Sequence, residues 1–146
     1  MNINELNRNL HRLVFSMDKQ AETILRQRLD LTFSQFRMLL AVQKGHIACQ
    51  ADVAEFFGLT PAAVSRQIDI LIQKKLINRK ANTMNRRQKV LQLTAAGNHI
   101  AKKAIHLLEA AFTGAYDLLS QDERKIFSES LDKLTKNICS LALEHL

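Results

Sequence analysis

Between Thr60 and Val90 the sequence places Arg66, Lys74, Lys75, Arg79, Lys80, Arg86, Arg87 and Lys89 against one acid, Asp69. Elsewhere basic and acidic residues balance, so this stretch holds the whole formal net charge of +7. Ammonium and guanidinium groups at that density form an electrostatic footprint for a polyanion. The competing interpretation is a solvated basic face without a ligand. Catalytic chemistry has no foothold: there is no nucleophile motif, phosphate-binding glycine loop or carboxylate pair in a catalytic setting, and no enzyme is expected. His11, His46, His99, His106 and His145 fall into no metal-ligand spacing, so neither a metal nor another cofactor is expected.

The two cysteines, Cys49 and Cys139, are too few for a disulfide scaffold. Cys49 stands where a Ser or Thr would cap a helix. A helix N-terminus favours a thiolate, which makes Cys49 either an oxidation sensor or, more ordinarily, a small buried hydrophobe. Cys139 lies beside the apolar stripe of the last helix and is assigned to packing.

The elements that must position these groups are mainly helical. With 146 residues, 47% hydrophobic, and only 4 Gly and 1 Pro, the chain has the makings of one cored domain with few linkers. No run approaches the roughly 18 apolar residues of a membrane span and no signal-peptide pattern opens the chain, so a cytoplasmic location is expected. Ile3, Leu6, Leu10, Leu13, Met17, Ala21 and Ile24 recur at helical spacing as far as Arg28. That stripe is longer than one small domain would cover from within. Thr32-Phe33-Ser34-Gln35 is a capping box opening a helix with Phe36, Leu39 and Leu40 that closes near Gly45. Ile47 and Ala48 read as a short extended link. A third helix spans Gln50 to Gly58. A fourth begins with Thr60 as cap and Pro61 in its first turn, and runs to about Lys75.

Ile77–Ala81 and Lys89–Leu93 are strand candidates around the polar turn Asn82–Gln88, which together make a β-hairpin. Two long helices follow. One opens at Thr94 and carries Ile100, Ala104, Leu107, Leu108, Ala111 and Leu118. The last opens at the capping box Ser120-Gln121-Asp122-Glu123 and carries Phe127, Leu131, Leu134, Ile138 and Leu141.

The segment Gln50–Lys75 has the pattern of a helix-turn-helix. Ala54 is small at the crossing, Gly58 permits the turn, and Val64 points into the core. Val64, Ile68, Leu71 and the Lys75 stem share one face of the second helix; Ala62, Ser65, Arg66, Asp69 and Gln73 occupy the other. Small and polar residues beside an arginine suit the major groove of duplex DNA. Arg86 and Arg87 at the hairpin tip suit the minor groove, where negative potential is concentrated.

In this order of elements the chain resembles the MarR family of bacterial transcription regulators. The likeness is carried by Leu31-Thr32-Phe33-Ser34-Gln35-Phe36, by Val64-Ser65-Arg66-Gln67-Ile68-Asp69, and by Asn85-Arg86-Arg87 leading into Leu93-Thr94-Ala95-Ala96-Gly97. It implies a mainly α winged helix-turn-helix with a small β-hairpin wing and long N- and C-terminal dimerisation helices. Residues 1–146 would form a single domain, about 32–93 the winged part and about 1–30 and 95–146 the dimerisation part. The implied function is repression from a palindromic operator on double-stranded DNA, bound as an interlocked homodimer and released by a small-molecule effector or a modification. Ala62, Ser65 and Arg66 would read bases, Thr60 and Gln67 would anchor to the backbone, Pro61 belongs to the same DNA-binding set, and Arg86 and Arg87 would enter or brace the minor groove. Arg87 matches the arginine of the family's Asp-x-Arg wing motif, which can brace the wing against the acid matching Asp69; Asn85 departs from that motif's Asp, which implies either a less rigid wing or turn hydrogen bonds supplied by Asn85 without charge. An effector cavity is also implied, with Phe15, Phe36 and Phe112 as aromatic candidates, although core packing is the expected role of each. The alternative function is a non-specific architectural or protein-interaction module.

Overall fold

A computed structural model describes the backbone of residues 2–45 and 49–144, with side chains described up to residue 138. His46, Ile47, Ala48, His145 and the side chains of Cys139 and Leu141 lie outside the described residues. The order is α1 (Ile3–Leu29), α2 (Phe33–Gln43), α3 (Gln50–Phe57), α4 (Pro61–Gln73), β1 (Ile77–Ala81), β2 (Lys89–Leu93), α5 (Ala95–Tyr116) and α6 (Gln121–Glu144). It is a mainly α fold with one small antiparallel hairpin, as the sequence implied.

The helix ends follow local chemistry. Asn2 Oδ1 accepts from the Glu5 N–H at 2.8 Å and starts α1. At α2 the Gln35 N–H donates to Thr32 Oγ1 at 3.0 Å while Gln35 Oε1 accepts from the Thr32 N–H at 3.1 Å, completing the capping box. Ser120 and Glu123 make the same reciprocal pair before α6. Helix α4 stops at Gln73, two residues short of the expected end, because Lys75 enters the left-handed region at φ 58°. Its N–H donates to Ile72 O, and that of Leu76 to Leu71 O, which closes the helix in a Schellman turn. Lys75 therefore leaves the apolar face where its stem was placed and is exposed.

The chain divides into two compact units, Met1–Leu108 and Glu109–Leu146. In the first, Leu25 of α1, Phe36, Met38 and Leu39 of α2, Val53 of α3, and Val64, Ile68 and Leu71 of α4 form one buried cluster with Leu76, Ile77, Leu91, Ala101 and Ala104. Each large apolar side chain so buried contributes about 1.5–3 kcal/mol. Helix α3 packs on α4, and α4 on β1. The core takes only the C-terminal end of α1: Ala21 and Leu25 are buried, whereas Ile3, Leu6, Leu13 and Phe15 are exposed. Phe15 is thus no core residue, unlike Phe36.

In the second unit, α6 buries none of its described side chains. Phe127, Leu134 and Ile138 stay exposed along its stripe, and Phe112 of α5 is half-buried. Leu118, expected within α5, lies beyond its end in the turn before α6 and is exposed.

Candidate nucleic-acid interface

Helix α4 is presented by three contacts that the sequence sets up locally. Gly58 adopts φ +61°, which a residue with a side chain rarely does, and its N–H returns to Ala54 O and Glu55 O to end α3. Two residues on, Thr60 Oγ1 accepts from the Ala63 N–H at 3.2 Å, with Pro61 in the first turn where no donor is missed. Val64, Ile68 and Leu71 fix the opposite face in the core. What α4 turns outward is Thr60, Pro61, Ala62 and Arg66, all exposed, with Ser65 half-buried among them.

Gln67 departs from its expected place at the duplex backbone. It is half-buried and turned toward α2, where its Oε1 accepts from Gln35 Nε2 at 3.3 Å. Gln35 is itself buried, so a single amide caps α2 with its oxygen and clamps α4 with its nitrogen.

The hairpin pairs Ile77 with Leu93, Arg79 with Leu91 and Ala81 with Lys89. Alternation puts Ile77 and Leu91 on the buried face, and Arg79 on that face too. At the tip, Asn82 Oδ1 accepts from the Met84 N–H at 2.9 Å and Asn85 Oδ1 from the Arg87 N–H at 3.2 Å. Asn85 thereby supplies an uncharged turn contact. Arg86 and Arg87 are exposed. Where the tip turn rejoins β2, Gln88 Nε2 donates to Sγ of the buried Cys49 at 3.3 Å.

The implied brace between Asp69 and Arg87 is not the pair that forms. Asp69 Oδ1 accepts from Arg79 Nη2 at 2.8 Å. Arg79 wins because it points inward from a strand packed on α4, whereas Arg87 sits in the exposed tip. A second member of the basic cluster is also engaged: Lys74 Nζ lies 3.1 Å from Asp30 Oδ2, tying the end of α4 to the end of α1. The remaining six, Arg66, Lys75, Lys80, Arg86, Arg87 and Lys89, are exposed and have no ion-pair partner among the described residues. They run from the outer face of α4 through the hairpin. Local patterns gave α4 and the wing; the Gln35–Gln67, Gln88–Cys49 and Lys74–Asp30 contacts had no sequence signal, since their partners lie 32, 39 and 44 residues apart.

Among the described residues, no group of three or more His, Cys, Asp or Glu side chains is arranged to hold a metal ion. No described helix is long and apolar enough to cross a membrane.

A capped helix-turn-helix followed by a cation-tipped antiparallel hairpin defines a winged helix-turn-helix protein. The MarR family profile matches residues 29–88, from the end of α1 to the wing. Among curated proteins the chain is similar to the HTH-type transcriptional regulator YhbI of Bacillus subtilis (strain 168), with 26% identity over 125 residues, 86% of this chain and 81% of that one. Among solved structures, wild-type MarR from E. coli in its apo form superposes with a TM-score of 0.79 at 22% identity, covering 88% of this chain and 95% of that one. A mutant MarR from E. coli complexed with operator DNA gives a TM-score of 0.67 at 20% identity, covering 92% and 99%. The chain thus carries a MarR family match over residues 29–88 and shares the winged helix-turn-helix fold of those solved structures.

Proposed function

We propose that this protein is a repressor that binds a palindromic operator in double-stranded DNA as a homodimer, and that a small-molecule effector or a modification releases it. The observation that carries the DNA reading is the set of six exposed cations running from the outer face of α4 to the wing tip. Ala62, Ser65 and Arg66 then meet base edges in the major groove, Arg66 being suited to a bidentate contact with guanine. Thr60, whose hydroxyl oxygen accepts within the helix, keeps its proton to donate to a phosphate. Arg86 and Arg87 reach the adjacent minor groove. Support also comes from the fold shared with the E. coli protein that was crystallised on operator DNA.

Dimerisation rests on a separate observation. Exposed apolar stripes on α1, from Ile3 to Phe15, and on α6, from Ile126 to Ile138, are each left without cover in one chain. We assign residues of about 1–30 and 95–146 to pairing with a second copy and about 32–93 to DNA. Two-fold symmetry then sets half-sites about 10 bp apart, centre to centre.

Selection of bound duplexes from a random pool, followed by binding at several salt concentrations, tests this. Enrichment of a two-fold symmetric motif, bound about 10³-fold or more above a scrambled duplex, is the expected result. Equal binding to both at every salt concentration makes the protein a non-specific architectural module instead.

A further inference from the structure

We propose that Arg79 is the positioning residue of the recognition helix α4, and that by occupying Asp69 it leaves Arg87 available for nucleic acid; this rests on the DNA-binding reading above. Arg79 lies on the inner face of the hairpin, across from Leu91, and only a quarter of its side chain is exposed (25%). A solvated cation has no reason to sit there. Its Nη2 reaches Asp69 Oδ1 at 2.8 Å, while its Nε is buried without a hydrogen-bond partner among the described residues. An unpaired buried N–H opposes stability, so the pair is a poor choice for holding the fold alone.

Its value lies in where Asp69 stands. That half-exposed carboxylate follows Arg66 by three residues, close to one helical turn, on the outward side of α4. Left bare, it repels the phosphates that Arg66 approaches. Arg79 cancels the charge and ties α4 to the strand leading into the wing, so helix and wing hold one spacing. Arg87 is exposed, with its N–H engaged by Asn85 and no ion pair among the described residues.

Fluorescence anisotropy with a pool-enriched duplex and a scrambled duplex, over a salt series, tests this on wild type, Arg79→Ala, Arg79→Lys, Asp69→Asn, Arg79→Ala with Asp69→Asn, and Arg87→Ala. Arg79→Ala is expected to weaken the enriched duplex about tenfold, with most of the loss recovered when Asp69→Asn is added and part of it by Arg79→Lys. Its salt slope stays that of wild type, whereas Arg87→Ala lowers the slope by about 0.9. Should Arg79→Ala fail to fold, the lysine and double variants carry the comparison. An equal drop in slope for the Arg79 and Arg87 variants, or a double variant no better than Arg79→Ala, overturns the proposal. Wild type that binds neither duplex overturns the DNA reading, and this inference with it; binding without coupling overturns this inference alone.

Discussion

Gly97 lies so close to the Leu76 carbonyl that a Cβ on it would stand 2.0 Å from that oxygen. The contact is set by Thr94, whose N–H donates to Leu76 O at 3.1 Å and whose hydroxyl donates to Lys75 O at 2.6 Å. The same hydroxyl oxygen accepts from the Gly97 N–H at 2.9 Å and caps α5. The Leu-Thr-x-x-Gly sequence is thus a clamp, fixing where α5 leaves the hairpin against the turn that ends α4.

Gly97→Ala is expected to cost about 3 kcal/mol, the upper range for overpacking, because the obstructing atom is backbone and cannot rotate away. Urea unfolding followed by circular dichroism measures it. A loss under about 0.5 kcal/mol, within the range of neutral surface changes, contradicts the clamp.

Lys75 pays the left-handed penalty of a side-chain-bearing residue at φ 58°. Lys75→Gly is expected to stabilise by about 0.5–1 kcal/mol, the strain relieved less the extra entropy of glycine in the unfolded chain. The same unfolding experiment checks it, and a net destabilisation would show that the lysine stem packs after all.

Arg66→Ala is expected to cost about 1–3 kcal/mol on an enriched duplex and to relax preference at one base position. Binding to single-base variants of that duplex reads this out. Uniform weakening on every variant reduces Arg66 to a phosphate contact.

The Glu22 carboxylate accepts from the Phe33 N–H at 2.6 Å and so caps α2 from a neighbouring helix. That bond holds its pKa below the ordinary 4.5, burial opposing and Arg26 assisting. A depressed carboxylate stabilises the fold fully above its unfolded pKa, and the contribution fades as pH falls through the lower folded value. Thermal melts from pH 6 to pH 3 are therefore expected to fall less steeply for Glu22→Gln than for wild type. Parallel curves would mean that the bond does not survive in solution.

What the sequence disclosed were features written in neighbouring residues. The strands Ile77–Ala81 and Lys89–Leu93 lie where their patterns placed them, and Thr32, Thr60 and Ser120 cap their helices, because a cap or a short strand is decided within about four residues. Arg79 was misplaced for a different reason. Counted by charge it joins the basic segment read as a polyanion footprint, whereas period-two counting from Ile77 puts it on the inner face. Gln67 and Lys74 were beyond reach, since their partners belong to α2 and the end of α1 and meet them only in the folded chain.

Amide hydrogen exchange on free protein and on protein bound to an enriched duplex most directly tests the surface assigned to DNA. Added protection is expected in peptides covering Thr60–Gln67 and Asn85–Gln88. Unchanged exchange in both, with protection confined to another face such as Ala95–Lys103 of α5, would contradict it.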